Sequence, residues 1–393
     1  MLYIYSSKDN KMTLLILLIS GFLFSCQAQH ADRIVTGAEQ LDDYIYLLEG
    51  RNVALVANQT SLVNQVHLVD TLLSRGVNIS RVFAPEHGFR GKADAGAHID
   101  DERDSKTGLP LISLYGKNKK PSKTSLEEVD IVVFDIQDVG ARFYTYISSL
   151  HYVMEACAEN NIPLLVLDRP NPNGHYVDGP LLDTAYQSFV GMHPIPIVHG
   201  MTIAEYAQMI NGEYWLNDSV QCELYWQSMK GYNHQKRYDL PVKPSPNLPN
   251  AQSIALYPSL CLFEGTAISV GRGTSKQFQI IGSPVLDSCS YVFTPISGEG
   301  ANYPKHENEI CCGWDLKNEQ FESGINLAYL IETFNQYDAK GIEFFNSFFD
   351  KLAGSNDLRI QIESGWTSIQ IKDTWQEGLM RFKKKRATYL IYP

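Results

Sequence analysis

Basic residues are in short supply: lysine and arginine number 33 against 44 aspartates and glutamates, a formal net charge of −11, and no Lys/Arg-rich block precedes Lys383 to Arg386. Clustered phosphate-neutralising charge is what holds a protein on duplex nucleic acid, so no nucleic-acid partner is expected. Long hydrophobic runs are missing too. The most apolar stretch, Met12 to Phe24, falls short of the ~20 residues that cross a bilayer. The seven cysteines form no CxxC pair and have no histidine spacing that suggests zinc. HExxH and the G-x-S-x-G elbow do not occur. Gly271-Arg272-Gly273-Thr274-Ser275-Lys276 matches neither GxxxxGK[ST] nor a helix-opening GxGxxG, which argues against a nucleotide site. There is no internal repeat and no low-complexity tract, and a chain 44% hydrophobic and 20% charged is neither disordered nor fibrous.

With 393 residues, at ~100 to 200 per domain, the chain holds about two domains with real cores. Residues 1–25 stand apart: Lys8 and Lys11, then the apolar run, then small and polar residues from Ser25 to Gln29. This is the layout of an export signal. Leu23-Phe24-Ser25-Cys26 resembles a bacterial lipobox, which makes Cys26 the expected lipidation site and a lipid anchor the only expected membrane contact; cleavage after Ala28 is the competing reading. The expected location is exported and periplasmic. Disulfides are compatible with export, though no pairing is assigned. Cys157 reads as a core residue.

Short apolar runs recur at Asn52 to Ala57, Val77 to Ala84, Leu111 to Tyr115, Ile131 to Asp135 and Pro163 to Asp168. Between several of them lie helical patterns, Val66 to Arg75 and Tyr146 to Asn160 among them. The alternation predicts an α/β fold with a parallel sheet, and the unbroken hydrophobicity of Ile131 to Phe134 suits a strand covered on both faces. Thr202 with Glu205 reads as a capping box opening a helix over Ile203 to Asn211. Four prolines between Pro241 and Pro249 predict a linker or cleft wall. Beyond it the pattern predicts strands at Ala267 to Val270 and Gln277 to Ile281, and helices at Ile325 to Phe334 and Gly341 to Leu352.

The polar clusters of the first unit directly follow its strands: Asn58 to Ser61, Pro85 to Gly91, Asp135 to Tyr144, and Asp168 to Asn173. In an open α/β sheet the carboxyl ends of the strands line one crevice, so the clusters converge there. Glu86 is the sharpest candidate for acid, base or nucleophile, framed by Pro85 and Gly88; Asp138 or Asp135 could supply a second carboxylate. Arg142 and Arg169 suit bidentate clamping of a substrate carboxylate, with structural ion pairs as the alternative. Tyr144 offers an aromatic face, and His87 and His199 could reach the crevice. His87, His98 and Asp94 have no familiar metal spacing, and no metal or cofactor is expected.

These segments, with Ser245-Pro246-Asn247, Glu264-Gly265-Thr266, Ser269 to Thr274 and the closing Arg386 to Tyr392, resemble the bacterial exo-β-N-acetylmuramidase family (NamZ type) in order along nearly the whole chain. Gln277 after Ser275-Lys276 departs from the expected pattern. The resemblance implies a Rossmann-like domain (26–245), a smaller α+β auxiliary domain (246–393), and a cleft between them. It further implies exo-acting release of N-acetylmuramic acid from non-reducing ends, with peptidoglycan-derived glycans as partners. Carried onto this chain, it adds Glu264 to Glu86 and Asp138 as catalytic candidates, and Asn247 and Arg272 to Asn58, His87, Arg142, Tyr144, Arg169 and His199 as substrate-binding candidates. Two competing readings use the same cleft: a non-catalytic glycan-binding lipoprotein, and a serine acyl hydrolase with Ser61 or Ser148 as nucleophile.

Overall fold

The computed structural model describes residues 33–86, 88–90, 102–319 and 324–393. Cys26, His87, Asp94 and His98 lie outside the described residues. A seven-stranded sheet forms the centre: β1 (Asn52–Ala57), β2 (Asn78–Ala84), β3 (Glu102–Arg103), β4 (Pro110–Ser113), β5 (Ile131–Asp135), β6 (Leu164–Leu167) and β7 (Leu224–Gln227). Its order is β7-β6-β5-β1-β2-β4-β3, parallel throughout except for the β3 edge. The strands read as continuous apolar runs because both faces are covered; β5 is buried along its whole length.

The chain builds outward from β1 through β2 to β4, then returns to the other side of β1 with β5 and builds outward through β6 to β7. The reversal falls between β1 and β5. A Rossmann-like sheet binds ligands at that point, outside the carboxyl ends of its strands. Asn58 directly follows β1 there, and Ile136 to Asp138 follow β5.

Helix α1 (Tyr146–Asn160) packs against α2 (Ile203–Gly212) over one face of the sheet. The expected capping box is present, with Thr202 accepting from the Glu205 amide and Glu205 accepting from the Thr202 amide. The smaller C-terminal part holds a three-stranded antiparallel sheet, β8 (Ile280–Ser283), β9 (Tyr291–Phe293) and β10 (Cys311–Asp315), in the order β8-β10-β9. Around it lie α3 (Ala251–Leu260), α4 (Ala328–Asp338), α5 (Phe349–Ala353) and α6 (Ser368–Arg386). Cys289 and Cys312 form a disulfide, with Cα atoms 5.3 Å apart.

Two expectations need correction. Ala267 to Val270 is not a strand, since Ser269 makes only an isolated bridge to Gly282. Of Gly341 to Leu352 only the end is helical, because Phe344 and Phe345 pack as aromatic pairs with Phe334 and Phe349.

Candidate active site

Pro85 and Gly88 make the expected turn after β2: the Gly88 amide donates to Pro85 O at 3.1 Å, and Gly88 sits at φ +78°, a conformation glycine adopts without strain. The turn delivers Glu86 to the rim of a cavity of about 230 Å³ between the two domains. Its Oε2 accepts from Thr145 Oγ1 at 3.3 Å. Burial together with the nearby Glu86 carboxylate raises the Tyr115 pKa. Among the described residues no lysine or arginine ion-pairs with Glu86.

Tyr144, Asn247, Glu264 and Arg272 line the same cavity, so it gathers five of the sequence-derived candidates. Tyr144 contributes a wall rather than a free hydroxyl, which donates to Pro244 O at 2.9 Å. Its ring meets those of Tyr146 and Tyr257 edge-on. The Pro241 to Pro249 stretch is thus a cleft wall. Asn247 Nδ2 donates to Gly300 O at 2.8 Å, while its buried Oδ1 has no partner among the described residues. Arg272 Nε donates to Glu264 Oε1 at 2.9 Å and its guanidinium lies over the Phe278 ring. Among the described residues Nε is the one guanidinium nitrogen of Arg272 with a hydrogen-bond partner.

Asp138 is buried behind this wall, only 4% exposed. Its Oδ2 accepts from the Gly140 amide at 2.7 Å and lies 3.7 Å from His199 Nε2; among the described residues Asp138 Oδ1 and His199 Nε2 have no hydrogen-bond partner. Gly140 must be glycine here, since a Cβ would fall 2.2 Å from Asn171 Oδ1. Asn58 is buried at the sheet's switch point, with Oδ1 holding Thr60 and Nδ2 without a hydrogen-bond partner among the described residues. None of these three groups lines the cavity.

Neither expected clamp reaches it. Arg142 is fully buried: Nη1 donates to Pro180 O and Ile195 O at 2.8 Å each, and Nη2 to Leu352 O at 2.9 Å and Ala353 O at 2.7 Å. A guanidinium occupied by four carbonyls has no fork left for a substrate. Arg169 is engaged bidentately by Asp135, Nε to Oδ1 at 2.6 Å and Nη2 to Oδ2 at 2.8 Å, so both are a structural pair at the crevice floor. Arg272 is therefore the cation that the cavity presents. The proposed serine nucleophiles are occupied likewise: Ser61 Oγ bonds Asp135 O, and Ser148 Oγ donates to Phe189 O at 2.7 Å, both buried.

Comparison with known proteins bears on this geometry. The family model for exo-beta-N-acetylmuramidase NamZ matches along both parts, its N-terminal portion over residues 53–252 and its C-terminal portion over 255–392. The chain belongs to the exo-β-N-acetylmuramidase family. It is 39% identical to the peptidoglycan beta-N-acetylmuramidase NamZ of Bacillus subtilis, with 93% of each chain covered. Two crystal structures of DUF1343 family proteins from Bacteroides fragilis have the same fold. One is 47% identical with a TM-score of 0.86, covering 92% of this chain and 99% of its own; the other is 29% identical with a TM-score of 0.78, covering 92% and 100%.

In this family member Thr145, Tyr146 and Tyr257 also line the cavity, although the sequence alone did not single them out. The aromatic run Phe143 to Tyr146 was the available signal. Tyr146 opens α1 and its hydroxyl, 3.4 Å from Glu86 O, is held protonated by burial and by the Glu86 charge. Tyr257 sits within α3, which the surrounding prolines obscured.

Proposed function

We propose that the protein is an exo-acting glycoside hydrolase that releases N-acetylmuramic acid from the non-reducing ends of peptidoglycan glycan fragments. The observation that carries the reading is one cavity that joins two carboxylates, Glu86 and Glu264, to one arginine within aromatic walls. At about 230 Å³ it lies just below the usual ~300 to 1,000 Å³ of ligand sites, the size for one sugar ring at a chain end. Family membership agrees.

In this reading Glu86 donates a proton to the departing glycosidic oxygen, since Glu264 is paired with Arg272 and Glu86 has no cation beside it among the described residues. Glu264 is the second carboxylate of the pair that glycoside cleavage uses, and water completes the hydrolysis without a cofactor. Arg272 holds the lactyl carboxylate through its free terminal nitrogens. Asn247 Oδ1 accepts from the acetamido N–H, which would supply its missing partner.

Purified protein is expected to release chromophore from a chromogenic N-acetylmuramide and not from the matching N-acetylglucosaminide. Equal turnover of both would remove the muramyl assignment; binding without turnover would favour the non-catalytic reading. The N-terminal pattern further supports export with a lipid on Cys26. A palmitate analogue should then label the wild type and not Cys26→Ala, and equal labelling of both would end that proposal.

A further inference from the structure

The cleft continues past the Glu264–Arg272 pair. A second cavity, of about 490 Å³, lies on the other side of it, bounded by Ile268 to Val270 and by Gly300 to Lys305. Glu264 and Arg272 line both cavities. We propose that this second cavity receives the leaving-group residue, an amino-sugar pyranose on the reducing side of the scissile bond, with the Tyr303 ring as its stacking face. The proposal deepens the glycosidase reading and rests on it.

Position is the first support. If the terminal sugar fills the cavity of Glu86, the bond to be broken crosses the boundary that Glu264 and Arg272 mark, and the next ring lies in the second cavity. The second support is that its outer wall is built and fixed. Lys305 Nζ donates to Phe263 O at 3.1 Å and Ile268 O at 3.0 Å, and also to Thr266 O. His306 Nε2 donates to Ala267 O at 2.7 Å, the Ile296 amide to Gly273 O at 2.9 Å, and Asn247 to Gly300 O. Each bond ties the segment 296–306 to the stretches that carry Glu264, Asn247 or Arg272. Gly273 is packed so closely by this wall that a Cβ would meet Ile296 O at 2.6 Å and Pro304 Cγ at 2.8 Å.

Tyr303 itself is the third support. Its backbone lies between these anchors, yet the residue is 93% exposed. A single exposed aromatic means little on an ordinary surface. Here it lines the cavity beside Glu264 and Arg272, where a pyranose can lay its C–H face on the ring, and the neighbouring Asn302 offers an amide for its hydroxyls.

The test compares two substrates of the whole protein: the disaccharide N-acetylmuramyl-β-1,4-N-acetylglucosamine, and β-N-acetylmuramyl azide, whose three-atom leaving group cannot reach Tyr303. Tyr303→Ala should lower kcat/KM on the disaccharide about three- to tenfold, the range expected of one aromatic contact, and leave the azide unchanged. Tyr303→Phe should restore the disaccharide. Unchanged disaccharide kinetics in Tyr303→Ala, or equal losses on both substrates, would overturn the assignment. Failure of the wild type on both would overturn the glycosidase reading instead.

Discussion

Glu86 and Glu264 share a cavity but not an environment. Glu264 faces a guanidinium at 2.9 Å, whereas Glu86 meets the Thr145 hydroxyl. In the proposed mechanism Glu86 is the proton donor. Glu86→Gln keeps the shape and removes the transferable proton, so turnover of the disaccharide should fall about 100-fold or more with the fold intact. A substrate with an activated phenol as leaving group needs less protonation and should lose less; near wild-type rates on both would move the role to Glu264. The arginines divide by the same logic. Arg272→Lys replaces a planar fork by a point charge and should raise KM about tenfold for a chromogenic muramide, and an unchanged KM would remove Arg272 from the carboxylate site. Arg169→Lys disturbs a buried pair and should lower stability and weaken every substrate alike. Sequence alone could not separate these three arginines, because what distinguishes them is which carbonyls and carboxylates arrive from distant segments: Asp135 for Arg169, Leu352 and Ala353 for Arg142.

The end of β6 and the start of α2 meet the last residues of the chain. Asp168 is buried and accepts from Tyr392 Oη at 2.7 Å and Thr202 Oγ1 at 2.8 Å. Glu205 accepts from the Ile391 amide and from His234 Nε2. Burial pushes the Asp168 carboxyl up to about 7, although these donors pull against it. An unfolded aspartate titrates near ~3.9, so between about pH 4 and 7 the folded state binds more protons. The stability contributed by this group is therefore fully present below ~4 and is lost as pH rises to about 7, at up to ~1.4 kcal/mol per pH unit. Asp168→Asn cannot titrate. Its thermal midpoint should be lower overall, and the difference from wild type should shrink as pH rises from 5 to 8; a pH-independent difference would sink the linkage. The elements themselves were partly legible. Runs such as Ile131 to Phe134 announce a buried parallel strand and Thr202-Glu205 announces a helix start, because both signals are local. β7 escaped notice as an edge strand with Tyr225 and Trp226 exposed, and α3 was hidden by Pro258 near its end. The candidate cavity was half legible: Glu86 follows a strand, but Glu264 follows α3, and the wall from α3 and from Phe348 and Leu352 comes from pairings far apart in sequence.

On the scale of the molecule, the Rossmann-like part and the C-terminal part share one core. A single hydrophobic cluster runs from Val132 and Leu150 in the first to Trp375, Leu379 and Phe382 in the second. Arg142 lies within the seam. Its four carbonyl partners come from the segments around Pro180 and Ile195 on one side and from the end of α5 on the other. Burial without a carboxylate pushes this guanidinium down to about 9, the mark of a cation held by dipoles alone. The same stretch brings Phe348 and Leu352 to the cavity wall, so the seam and the site are mechanically one. Two consequences follow from that arrangement. Urea should unfold the wild type in one transition, reported identically by tryptophan fluorescence and by circular dichroism, and two separated transitions would show independent domains. Arg142→Met fills similar volume but orphans four carbonyls that are each worth ~1 to 3 kcal/mol when left unpaired in the interior. It should cost at least ~3 kcal/mol in the urea midpoint analysis and raise KM through the displaced Leu352, whereas a loss below ~1 kcal/mol would mean that water replaces the guanidinium and that the seam is open to solvent.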